Sequence, residues 1–313
     1  MNEQVLTINL SSSLRSRFVA YGARATTPTS DSSSSNTSTS VLSRALDFLQ
    51  GLQVPHGYFT HFYVVSILSS VFWLGQLLLR GSVFQAVAVR VGPEHVQKSM
   101  TVNQVLFCWA LVVVHSSRRL AECIFFVKPS TSRMWFVHWL LGLAFYVAMP
   151  VAIWIEGTSM VMSKIFPAGL CSMLTIIGIL DALQFHEMTF EELKITNVPS
   201  LRTFICLPLF LLASGLQHDC HHYLFSLEKY TLPAHPLFNK IVSPHYTAEC
   251  GIYLSLAIMA APSGELVNKT LLSCLAFVAV NLGVTASTSK EWYKQKFGEE
   301  SVRGKWRMIP GIY

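Results

Sequence analysis

Apolar runs long enough to cross a bilayer recur along this chain, and no other feature constrains its fold so tightly. A helix needs about 20 mostly apolar residues to span the hydrocarbon layer. Such runs lie at roughly Tyr58–Leu79, Val105–Val127, Trp135–Ile155, Phe166–Phe185, Leu201–Phe225 and Leu271–Thr285, with a shorter one at Cys250–Pro262. Of the 313 residues, 51% are hydrophobic and 13% charged, about half the charged share of a soluble domain. Backbone polar groups in lipid have to be paired within their own segment, so runs of this kind fold as helices. The expected fold class is all-α: a polytopic membrane helical bundle of about seven transmembrane helices. No internal repeat is evident, which argues against the inverted-repeat plan of a transporter.

The two ends are made of different material. Within residues 1–52, Ser and Thr dominate between Ser11 and Ser43, with SDSSSSNTSTS at Ser30–Ser40, and such a stretch buries too little apolar surface to offset its ordering entropy. It is expected to be a disordered tail ahead of a membrane domain at 53–313. Arg15, Arg17 and Arg24 give it a weak likeness to a transit peptide, but it lacks the apolar core of a secretory signal, so the first span is expected to do the targeting. Residues 289–313, SKEWYKQKFGEESVRGKWRMIPGIY, set Lys290, Lys294, Lys296, Arg303, Lys305 and Arg307 against Glu291, Glu299 and Glu300. Lys and Arg mark the cytosolic side of a membrane, so this basic tail is placed in the cytosol. The same cations could clamp the phosphates of an anionic cofactor.

Smaller signals exclude other classes. Seven scattered cysteines form no CxxC pair and read as buried free thiols. The net charge of +6 gathers near segment ends, so nucleic acid is not implied. The sequon at Asn268 sits too close to the membrane to serve as a glycan site.

Ionisable residues inside the second run carry the functional signal. VVVHSSRRLAECIFF places His115, Ser116, Arg118, Arg119 and Glu122 in hydrocarbon, where a charge costs about 3 kcal/mol on insertion scales and defaults to a functional role. Helical spacing puts His115, Arg119 and Glu122 on one face and makes Arg118 and Glu122 an i,i+4 pair. An ion pair could simply neutralise itself. Two arginines for one carboxylate leave surplus positive charge, which calls for an anion.

Two further stretches leave alternatives open. SGLQHDCHHYLFSLEKY contains HDCHH, which matches the HxxHH box of membrane di-iron enzymes, and HGYFTH resembles their first box. A second HxxHH is missing, and His95, His115, His138, His186, His235 and His245 are isolated singles, so no metal is expected. In VSPHYTAECGIY, Glu249 opens a helix, where the macrodipole alone would favour a carboxylate. Pro244, His245 and Tyr246 before it could equally form a hydrogen-bonding ledge for a ligand.

Three segments together carry a family likeness. HSSRRLAEC looks like HSxRRLxEC, SPHYTAECGIYLSLAI looks like SPNYLAELxIYxSxA, and WYKQKF followed by IPGIY looks like FYxxKF…RKxxIPF. Over roughly Gln104–Tyr313 the chain resembles the steroid 5α-reductase family, and within it the polyprenal reductase branch. The resemblance implies a seven-helix endoplasmic-reticulum enzyme that uses NADPH to saturate a carbon–carbon double bond, with the cofactor in the cytosolic half of the bundle. By matching position, Arg119 falls on a cofactor-contacting arginine, and Gln217 and His221 fall near the nucleotide. His245 and Glu249 fall beside the nicotinamide amide, while Tyr293 and Lys305 match residues of the tail. Arg118 and Arg303 join these as phosphate-facing cations. The steroid branch has a tyrosine where this chain has Ser116, and its partner glutamate in the first span has no equivalent here.

Hydride adds to an alkene only if the developing negative charge has somewhere to go. A conjugated aldehyde supplies that sink and an allylic alcohol does not, so the expected substrate is polyprenal and the product dolichal. The enolate oxygen needs a preorganised donor, for which the sequence offers His115 and protonated Glu122, with Ser116 and Tyr246 behind them. Glu122 could donate only if phosphate engaged its arginines, because a paired carboxylate is ionised. With no Gly-rich dinucleotide fingerprint, the cofactor site has to be built from helix ends and loops. The implied partners are a polyisoprenoid lipid substrate and membrane lipid, with no protein partner inferred. The alternatives are a 3-oxo-Δ4-steroid or enoyl-thioester reductase, a membrane di-iron hydroxylase or desaturase, and a non-enzymatic transporter.

Overall fold

The computed structural model describes residues 48, 51–79, 81–88, 90–91, 99–128, 130–157 and 200–313. Nearly all of the serine-rich tail, the fourth apolar run with the HEMTFEELK loop after it, and His95 and His186 lie outside the described residues. What is described is helical. The helices are α1 (Thr60–Leu78), α2 (Ser82–Ala88), α3 (Val102–Phe125), α4 (Phe136–Glu156), α5 (Leu201–Ser226), α6 (Pro244–Met259) and α7 (Lys269–Phe297). One short antiparallel pair, β1 (Gln53–Pro55) with β2 (Arg133–Trp135), sets Val54 opposite Met134 and ties the start of α1 to the start of α4.

Among the described residues, α1 with the turn before it, α4, α5 and α7 are long and apolar enough to cross a membrane. Their outer faces present Leu68, Val71, Phe72, Leu140, Phe204, Ile205, Leu211 and Val280 openly, as a lipid-facing surface does. The multi-pass, all-α reading of the sequence therefore holds, with four such spans in the described residues. α3 is as long, at 24 residues, but carries the charged stripe.

Two element boundaries differ from the sequence expectation. α6 starts at Pro244, at N1 after Ser243, rather than at Cys250. Proline suits a first helical turn because its missing N–H would have no partner there, so the helix begins at the proline. Glu249 then stands more than a turn inside α6, and capping does not account for it. α7 runs on to Phe297, so the first third of the segment read as a basic tail continues a membrane helix.

α3, α4, α5 and α6 each have one end at a polar knot and the other at a cavity, and α7 runs from the knot past the cavity. At the knot, Glu156 is 4% exposed and accepts from Asn268 Nδ2 at 2.7 Å and from the Thr270 hydroxyl. Asn268 also caps α7, its Oδ1 accepting from Leu271 N at 3.0 Å. Gln104 closes a capping box with Thr101 at the start of α3 and reaches the Met259 and Ala261 carbonyls at the end of α6, at 3.0 and 2.9 Å. Arg202, near the start of α5, donates to Ala261 O and Glu265 O. Helix ends leave backbone groups unpaired, and here side chains of neighbouring helices satisfy them. Asn268 is 1% exposed, so the sequon is structural.

Between knot and cavity lies the apolar core. Trp73 and Leu77, Val105 and Cys108, Ile153 and Trp154, Phe210, Ile252 and Leu256, and Leu271 pack into one cluster. α1 and α4 approach closely at the opposite end, where a Cβ added at Gly142 would stand 2.6 Å from Phe62 Cζ.

Candidate active site

α3 holds His115, Arg118, Arg119 and Glu122 at the i, i+3, i+4 and i+7 spacing of a single helical stripe. Glu122, buried to 4% exposure, accepts from Arg118 through Oε1 and from Arg119 through Oε2. α5 turns Gln217, His218 and His221 towards the same stripe. His218 Nδ1 lies 2.8 Å from Glu122 Oε1 and His221 Nδ1 lies 2.8 Å from Oε2. A carboxylate with two guanidiniums on its oxygens serves as an acceptor in this arrangement.

Glu249, on α6, stands on the far side of Gln217. Arg118 donates to Gln217 Oε1, and Gln217 Nε2 donates to Glu249 Oε2. His115 bridges the same gap less tightly. Its Nδ1 is 3.4 Å from Arg118 Nη2, and its Nε2, which has no hydrogen-bond partner, is 3.4 Å from Glu249 Oε1. Two guanidiniums therefore face two carboxylates across an amide. The surplus positive charge expected from α3 alone does not exist, because α6 supplies the second carboxylate. Sequence spacing within one helix could not show that.

A cavity of about 310 Å³ opens beside this cluster. Arg119, Gln217, His221, His245, Tyr246 and Glu249 form its polar wall. The opposite wall is aromatic and apolar: Phe59, Phe62 and Tyr63 from the start of α1, Leu141, Gly142, Phe145 and Tyr146 from α4, and Phe277, Val278 and Leu282 from α7. The α4 and α7 residues recur at three- and four-residue intervals, so each helix presents one stripe. Phe145 stacks on Phe277 with centroids 4.8 Å apart.

Of the residues expected in catalysis, Tyr246 lines this cavity, while His115, Ser116 and Glu122 stand behind the wall. Ser116 Oγ is held 2.8 Å from Ser66 Oγ on α1. Of those expected at a cofactor, Arg119, Gln217, His221, His245 and Glu249 come together, and Arg118 reaches them through Gln217. Tyr293, Arg303 and Lys305 do not join them. Tyr293 and Lys305 border a separate crevice of about 10 Å³ with Leu232 and Val302. Burial there holds the Lys305 ammonium below the ordinary lysine range. Arg303 is exposed and pairs with Glu300 at 3.0 Å.

The last segment packs over this end of the bundle. Val242 N and Ser243 N donate to Trp306 O and Arg307 O at 2.8 and 3.1 Å, and Thr247 Oγ1 donates to Met308 O. Tyr313 OH lies 2.6 Å from Ser287 Oγ on α7. This segment braces the start of α6, where His245 and Tyr246 meet the cavity, without bringing its cations there. The histidines of HDCHH are used otherwise too: His218 and His221 face Glu122, His222 packs edge-on against Phe126, and Asp219 lies 3.5 Å from His235.

Tyr63 and Tyr146 line the cavity without having been singled out in the sequence. Tyr63 OH accepts from Arg119 Nε at 3.0 Å, and the two tyrosine rings pack edge-on with centroids 5.2 Å apart. The signal was the aromatic density of HGYFTHFY, overshadowed by its histidines.

Residues 159–313 match the family described as 3-oxo-5-alpha-steroid 4-dehydrogenase. Over that half of its length the chain is similar to the steroid 5α-reductase family. That places it among oxidoreductases, and the helix pair carrying Gln217 and Glu249 falls inside the matched segment. It is similar to polyprenal reductase 1 of Oryza sativa subsp. indica, 27% identical over 293 residues that cover 83% of this chain and 79% of that protein. Polyprenal reductase 1 of Arabidopsis thaliana is 28% identical over 288 residues, 84% of this chain and 83% of its own. The polyprenal reductase of Xenopus laevis is 26% identical over 291 residues, 86% and 81% respectively.

Proposed function

We propose that this protein is a polyprenal reductase of the endoplasmic-reticulum membrane, with the C-terminal segment and the cavity on the cytosolic side. It uses NADPH to saturate the α-isoprene double bond of polyprenal, giving dolichal for the dolichol that supports protein N-glycosylation. One observation carries the reading: a single cavity joins a hydrogen-bonding wall to an aromatic slot. The slot suits the isoprene units next to an aldehyde, and the wall suits the polar end of a nicotinamide nucleotide. The names of the similar proteins point the same way.

The residues present fit the nicotinamide end of the cofactor. A carboxamide needs an acceptor for its NH2 group and a donor for its oxygen. Glu249 offers carboxylate oxygens on the cavity wall, and His245 and Tyr246 stand next to it. Arg119 is the wall's cation. When bound, the reduced cofactor supplies the hydride for the new C–H bond at the β-carbon. The chain's own residues orient the enal, keep water from the slot and hold a donor at the carbonyl oxygen.

The test is to incubate membranes containing the full chain with NADPH and either polyprenal or polyprenol. Polyprenal is expected to be saturated and polyprenol left unchanged. Intact protein that leaves polyprenal untouched would remove the reading.

A further inference from the structure

The proposed chemistry requires a donor at the carbonyl oxygen, and three of the four residues expected to supply it stand behind the cavity wall. Hydrogen-bond arithmetic on the wall itself identifies another. Tyr63 is 2% exposed and lines the cavity with Arg119 and Glu249. Arg119 Nε can only donate, so at 3.0 Å the Tyr63 oxygen accepts from it. The Tyr146 ring packs edge-on against that of Tyr63, with centroids 5.2 Å apart. A phenol oxygen that accepts from a guanidinium still has its own proton to give.

Three other polar groups of the wall are engaged with neighbouring protein atoms. Gln217 spends its amide on Glu249 and its carbonyl on Arg118. His221 Nδ1 is held between Arg119 and Glu122. Thr285 Oγ1 gives its proton to Asn281 O at 3.1 Å. The Arg119 guanidinium also lies 5.1 Å from the Tyr63 ring centroid. A cation so close stabilises charge arriving on the phenol oxygen, as an anion-stabilising site requires.

We propose that the Tyr63 hydroxyl, backed by Arg119, is the catalytic residue that donates to the substrate's carbonyl oxygen. This rests on the enal reading above. The enal gains a C–H bond at its β-carbon, the electron pair coming with the hydride of the reduced nicotinamide dinucleotide. Its alkene pair becomes the new double bond between the α-carbon and the carbonyl carbon, and the C–O π pair moves onto oxygen. Tyr63 gives that oxygen a proton, forming an enol and a phenolate that water reprotonates. The enol then gains a proton at the α-carbon and loses one from oxygen, leaving the saturated aldehyde.

The experiment uses the full-length protein in detergent with farnesal, a short enal, and NADPH. Tyr63→Phe is expected to lower kcat about 10²- to 10³-fold, the effect of removing one oxyanion donor, with little change in KM. Without cofactor, calorimetric affinity for farnesoate, whose carboxylate mimics the enolate oxygen, is expected to fall about tenfold, as loss of a hydrogen bond to a charged group implies. If Tyr63→Phe does not fold, 3,5-difluorotyrosine at position 63 keeps the shape and lowers the phenol pKa, so the alkaline limb of kcat moves to lower pH. Unchanged kcat and farnesoate affinity in Tyr63→Phe, an unmoved pH limb, or a loss in Tyr246→Phe that Tyr63→Phe does not share would overturn the assignment. Wild-type protein that leaves farnesal unreduced defeats the enal reading instead, while farnesoate binding still tests where the Tyr63 hydroxyl points.

Discussion

Glu122 carries more of the site's integrity than its absence from the cavity wall suggests. It is the shared acceptor of Arg118, Arg119, His218 and His221. Charges removed from water are tolerated when paired and costly when a partner is removed, by about 3–5 kcal/mol. Glu122→Gln leaves Arg119 without its carboxylate next to the cavity. We expect about 3 kcal/mol of destabilisation, read as a lower thermal midpoint in detergent, together with lost turnover. A variant as stable as wild type would show that the arginines find their counter-charge elsewhere. The α3 stripe was legible in the sequence because charges in an apolar run have few explanations. Its pairing with Gln217 and Glu249 was not legible, since 99 and then 32 residues separate those partners along the chain.

At the scale of helices, hydropathy located the segments and missed how they end. The runs at Trp135–Ile155 and Leu201–Phe225 fall within a residue or two of α4 and α5, because apolar length decides both. The start of α6 was misplaced because PHYTAE is polar, yet Pro244 is a helix-starting signal that hydropathy cannot register. Asn268 illustrates the same point at α7. Its motif suggests a glycan acceptor, whereas its amide caps the helix and anchors Glu156. Asn268→Ala is expected to cost about 1–3 kcal/mol, as lost caps and buried hydrogen bonds do. It should leave gel mobility unchanged with or without endoglycosidase. A mobility shift would mean that Asn268 is reachable by the glycosylation machinery and not folded as described.

Among the described residues, the bundle is apolar outside, apolar in its core and polar at both ends. Side chains such as Phe204 and Val280, 74% and 69% exposed, have no place in water. Alkaline carbonate, which strips peripheral proteins, should leave this chain in the membrane pellet; its release to the supernatant would contradict a multi-pass fold. One consequence follows from the pairing of Arg118 and Arg119 with Glu122 and Glu249. Opposite formal charges that cancel cast almost no field beyond their own neighbourhood, so this chamber cannot draw in a distant anion. Visitors must arrive for other reasons and be judged on touch, by outline and by the match of donor to acceptor. Low salt should hasten their arrival hardly at all.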